Sequence, residues 1–85
     1  MKEFNYHVTD PVGIHARPAG LLVKEAAKFK SNISLTKEGK TVDAKKIMAV
    51  MALGVKQNQE VKVSVDGEDE ATAFAALEKF FKENF

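Results

Sequence analysis

The chain has no cysteine and no tryptophan among its 85 residues, and only two prolines. Without thiols it can form neither a disulfide framework nor a thiolate zinc site, so a reducing compartment is permitted and the hydrophobic core must supply the stability alone. No apolar run is long enough to span a bilayer, and the opening MKEFNYHVTD lacks the apolar stretch and small-residue cleavage site of a secretory signal. A soluble, cytoplasmic protein with no direct membrane insertion is therefore expected. Charge of one sign is missing as well. The 13 basic and 12 acidic side chains are intermixed and leave a formal net charge of +1, which excludes the broad basic field that nucleic acid or anionic lipid would need. With two histidines and no cysteine, neither a metal site nor a cofactor site is expected.

What is present reads as one small domain over residues 1–85, without repeat, linker or low-complexity segment. Phe4, Tyr6 and Val8 alternate with polar neighbours, the period of a half-buried strand, until Asp10-Pro11-Val12-Gly13 stops it. From Ala16 the period becomes helical, with Ala19, Leu22, Val23, Ala26 and Phe29 on one side over about three turns. Ile33 and Leu35 mark a second strand, Glu38-Gly39 a tight turn, and Lys40-Thr41-Val42 a short third strand. Ile47, Val50 and Met51 fit a brief helix stopped by Gly54, and Met48 falls off that stripe.

Val61, Val63 and Val65 alternate as a fourth strand closed by Asp66-Gly67. In the last helix Asp69 is placed to cap, and Ala73, Phe74, Leu77, Phe80 and Phe81 supply the apolar side. The order β-α-β-β-α-β-α predicts an α+β fold. Half-apolar strands and one-sided helices give a four-stranded antiparallel sheet with helices on a single face.

The candidate chemistry lies in Gly13-Ile14-His15-Ala16-Arg17-Pro18. Pro18 suits the first turn of a helix, so that His15 stands at the helix mouth. Free N–H groups and the positive dipole end favour an anion there, and Arg17 adds a planar fork of donors suited to phosphate oxygens. If a ring nitrogen of His15 accepted a phosphoryl group, the new charge would arrive where donors already point. The bland alternative is an incidental loop histidine. His7 lies mid-strand among outward positions and reads as a solvated residue.

Two further groups have double readings. Ile47, Val50 and Leu53 could be core, whereas Met48 and Met51 with Leu21 could form an exposed, adaptable patch for partner docking. Lys24, Lys45 and Lys46 would rim that patch, either as a solvated charged face or as the complement of an acidic partner.

The segments GIHARPA from Gly13, EGKTVDAK from Glu38, KIMAVMALG from Lys46 and VSVDGEDE from Val63 together resemble the HPr family. These are the histidine-containing phosphocarriers of the bacterial phosphoenolpyruvate:sugar phosphotransferase system (PTS). The likeness covers essentially the whole chain. It implies an open-faced β-sandwich with three helices on one side of the sheet, and a carrier rather than an enzyme acting alone. Enzyme I, charged from phosphoenolpyruvate, would phosphorylate Nδ1 of His15, and enzyme IIA domains of sugar permeases would receive the group. Arg17 would neutralise the phosphate, and the backbones of Ala16 and Arg17 would donate to it. The family's docking surface would map onto Gly20, Lys24, Ile47, Met48 and Met51, and the patch inferred above adds Leu21 and Lys46.

Two positions depart from the family pattern. Many relatives carry a regulatory serine, phosphorylated by an ATP-dependent kinase, where Lys46 stands here. Lysine has no hydroxyl to accept the group, so escape from that kinase is expected. Gly20 replaces a more familiar alanine or threonine, at a helix cost of roughly 1 kcal/mol. A regulatory HPr paralogue and a non-catalytic partner-binding module are the alternatives, and a monomer is expected.

Overall fold

A computed structural model describes residues 1–85. Four strands, β1 (Lys2–His7), β2 (Asn32–Lys37), β3 (Lys40–Asp43) and β4 (Glu60–Asp66), combine with three helices, α1 (Ala16–Ala27), α2 (Ile47–Leu53) and α3 (Glu70–Asn84). All pairings are antiparallel and the strand order is β1-β4-β2-β3. The expected open-faced sandwich is what forms.

β4 is central, and its three valines explain why it can be. Val61, Val63 and Val65 are fully buried, pairing with Tyr6, Phe4 and Lys2 on one flank, while Val63 and Val65 meet Leu35 and Ile33 on the other. This face meets the helices. Phe81 of α3 lies edge-on to Phe4 and Tyr6 at centroid distances of 5.8 and 5.5 Å. Leu22 and Ala26 of α1, Val50 and Leu53 of α2, and Ala73 and Leu77 of α3 complete the same cluster. Alternate residues of the strands form the opposite, polar face. There the Ser64 hydroxyl donates to Glu3 Oε2 at 3.0 Å, and the Thr36 and Thr41 hydroxyls are 2.8 Å apart.

The β2–β3 turn is made by Glu38 and Gly39, both left-handed at φ 50° and 81°, a pair whose twist suits a two-residue hairpin. Gly54 ends α2 as expected, at φ 67°.

Two expectations change in detail. Asp69 occupies the N-cap position of α3, but its side chain makes no bond to its own helix. The carboxylate instead accepts from the Lys30 and Ser31 N–H groups, both at 2.9 Å, and from the Ser31 hydroxyl at 2.5 Å. These donors, the Ser31 hydroxyl foremost, push the Asp69 carboxyl down to about 2. The cap position is thus a latch onto the loop after α1. Glu70 serves the helix start, accepting the Gly67 N–H at 3.2 Å. Second, Lys45 does not rim the surface freely, because its ammonium donates to the Phe29 carbonyl at 2.8 Å. A half-buried lysine there ties the segment before α2 to the loop after α1.

Candidate functional site

The loop leading to His15 is held by backbone contacts. The Asp10 carbonyl accepts the Gly13 N–H at 2.9 Å, and its carboxylate accepts the Val12 N–H at 2.9 Å. Gly13 has φ 75°, and a Cβ built on it would lie 2.4 Å from the Val55 carbonyl oxygen. Only glycine permits both the dihedral and the approach. The next residue uses that proximity: the Ile14 N–H donates to the same oxygen at 3.0 Å, and the Ile14 side chain is buried.

His15 therefore leaves an anchored loop and becomes the N-cap of α1, in extended conformation at φ −114° and ψ −177°. Its carbonyl accepts the Ala19 N–H at 2.8 Å, the first turn of the helix. Its ring makes no bond to the helix and is half-exposed. Pro18, third in the helix, has no N–H to offer. The N–H groups of Ala16 and Arg17 have no acceptor in the protein, as the first turn of a helix dictates. Arg17 is exposed and joins none of the ion pairs. A ring nitrogen, two open N–H groups and a free guanidinium thus share one helix end, an arrangement suited to an anion arriving on the ring.

None of the three surface grooves is lined by His15. The roomiest, about 430 Å³, lies between α1 and α3 and is lined by Leu21, Lys24, Glu25, Lys28, Phe80 and Asn84. A histidine on open surface cannot enclose and orient a small substrate; it can be reached by another protein.

The surface beside it is apolar. Helices α1 and α2 meet at Gly20, whose missing Cβ would sit 3.6 Å from Ile47 Cδ1. Around that crossing Leu21, Ile47, Met48 and Met51 are exposed, Met48 most of all at 75 %. The double reading of α2 thus divides by residue: Val50 and Leu53 enter the core, while Ile47 stays at the surface. Lys24 and Lys46 are exposed at the edges. Lys28, at the C-cap of α1, is paired with Glu25 at 3.0 Å. His7 is exposed on the polar sheet face, opposite Glu60.

Sequence reasoning missed Val12, exposed at 65 % in the loop before His15, and the Val55 anchor. Gly13 carried a turn signal, but nothing in a single sequence marks Val55 as its neighbour. It also missed Phe85, whose carbonyl oxygen accepts the Thr9 N–H at 2.7 Å, the Asp10 N–H at 3.1 Å and the Thr9 hydroxyl at 3.0 Å. The start of the His15 loop is thereby joined to the end of α3.

The family of PTS HPr components, described by its phosphorylation site, matches residues 2–83. The chain belongs to the HPr family. It is 44 % identical over 85 residues to the phosphocarrier protein HPr of Xylella fastidiosa, covering 100 % of this chain and 96 % of that protein. The crystal structure of an HPr from Thermoanaerobacter tengcongensis superposes with a TM-score of 0.92 at 44 % identity, over 98 % of this chain and 93 % of that one. A mycoplasma histidine-containing phosphocarrier protein gives a TM-score of 0.93 at 40 % identity, over 96 % and 93 % of the two chains. The HPr fold leaves no helix long and apolar enough to cross a membrane.

Proposed function

We propose that this HPr-family chain is a cytoplasmic phosphocarrier that takes a phosphoryl group from phosphorylated enzyme I on His15 and passes it to enzyme IIA domains in sugar uptake. The carrying observation is the helix mouth itself, where the His15 ring stands beside the unpaired N–H groups of Ala16 and Arg17 and the free Arg17 side chain. In the transfer, His15 Nδ1 forms a bond to phosphorus as the bond from phosphorus to enzyme I breaks. The dianionic group then lies within reach of donors present before it arrived, so little reorganisation accompanies the step. The second transfer runs the same exchange with an acceptor on enzyme IIA.

Both partners would use the face formed by Gly20, Leu21, Lys24, Lys46, Ile47, Met48 and Met51, one at a time. Its apolar centre supplies contact, and its lysines orient an acidic partner and speed encounter. The chain is a protein substrate in this scheme, needing no cofactor and no metal, and works as a monomer. Lys46 offers no hydroxyl to an ATP-dependent serine kinase, so that form of control would be absent.

The test is intact mass after incubation with enzyme I and phosphoenolpyruvate. One acid-labile phosphate on the wild type and none on His15→Ala is expected, with no gain from ATP and the serine kinase. A folded protein that takes no phosphate from enzyme I would overturn the carrier reading in favour of a partner-binding module, which would keep its affinity in His15→Ala.

A further inference from the structure

The chain has three methionines, and their surroundings differ. Met1, 71 % exposed, precedes β1, its ammonium beside Asp66 at the end of β4 and Glu70 at the start of α3. Met51 is 39 % exposed, one turn along α2 from Met48. Met48, second residue of α2, is 75 % exposed and contributes nothing to the buried cluster. Its thioether is open to solvent in the middle of an apolar face, between Ile47 and Met51.

We infer that Met48 is a site of reversible oxidation by hydroperoxides, and that its sulfoxide closes the α1–α2 face to partners. The inference about docking rests on the reading of that face given above. In the reaction a sulfur lone pair attacks one peroxide oxygen. The S–O bond forms as the O–O bond breaks, and the proton on the transferred oxygen passes to the departing hydroxide, or alkoxide for an organic hydroperoxide, leaving the sulfoxide and water or an alcohol. Sulfur loses two electrons and the peroxide gains them.

Two features make this a switch rather than damage. The fold does not depend on Met48, since α2 is held by Val50 and Leu53, both buried. An interface covering Met48 does depend on it. A thioether asks for no hydrogen bond when buried, whereas a sulfoxide oxygen is a strong acceptor that loses water on docking and meets an apolar surface. Oxidation would therefore act on KM for a protein partner and leave kcat and stability largely alone.

The test is graded hydrogen peroxide treatment quenched with catalase, followed by peptide mass mapping, thermal unfolding and transfer kinetics with enzyme I. Met48 sulfoxide should accumulate before Met51 sulfoxide, with an unchanged unfolding midpoint and a KM raised about tenfold. Methionine sulfoxide reductase should restore it. Met48→Leu, which retains Met1 and Met51, should keep its own untreated KM through the same exposure. Oxidation of Met51 ahead of Met48, an unaltered KM in the Met48 sulfoxide, or a lowered unfolding midpoint would each overturn the inference. If the untreated protein accepts no phosphate from enzyme I, the carrier reading is what fails, and the mass map still decides whether Met48 is the oxidised site.

Discussion

Three residues outside the helix mouth itself bear on how His15 is held, how stable α1 is and how the chain responds to acid. Gly13 combines a left-handed dihedral with a 2.4 Å approach of a virtual Cβ to a backbone oxygen. Gly13→Ala should therefore lose about 2 kcal/mol or more of stability in urea unfolding and slow phosphorylation of His15. Gly20 is the opposite case, for the nearest atom to its virtual Cβ is the tip of Ile47 at 3.6 Å, an ordinary contact. Gly20→Ala should raise stability by about 1 kcal/mol in the same assay. Asp69 sets an acid limit. Its carboxyl lies near 2 in the folded chain against an ordinary 3.8, so between those values the unfolded chain binds more protons. The latch's contribution is complete above the ordinary value and is lost as pH falls toward 2. Ser31→Ala removes the foremost donor, so the carboxyl should titrate at higher pH when followed by NMR. Stability measured against pH should flatten across that interval in Asp69→Asn.

Among the elements, α2 is the least self-sufficient. It has seven residues, and Lys46 at its N-cap makes no side-chain bond to the helix. A cation at that end opposes the helix dipole. Lys46→Asp should raise the unfolding midpoint through about 1 kcal/mol of capping. If Lys46 orients acidic partners, the same variant should show slower transfer, separating the helix's preference from the surface's role. The longer elements were legible because period and burial coincide: the stripes of α1 and of Phe4 and Tyr6 on β1 need only be counted. The central place of β4 was not, although its valines hinted at it, because alternation marks a buried face and not the number of neighbours. Asp69 misled for a related reason. A carboxylate at a helix start is ordinarily a cap, and only the fold brings the Lys30–Ser31 backbone close enough to compete.

For the molecule as a whole, chain order, fold class and the location of the His15 motif at a helix mouth are legible in the amino-acid sequence alone. The docking face could be read only in part, since Ile47 and Val50 look alike in sequence and differ in burial. Contacts joining distant segments, such as Val55 to Gly13 and Phe85 to Thr9, leave no local trace. If exposed lysines guide partners, KM for enzyme I should rise steadily with added salt while kcat changes little. The uncovered side of the sheet has a practical consequence. Thr36 and Asn5 project from the side facing away from the helices, and the chain contains no cysteine. A single thiol introduced at either position would be a unique point of attachment, by which the protein could be fastened to a bead or an electrode with the helix layer, and the His15 end of α1 in it, left free for the partners proposed above.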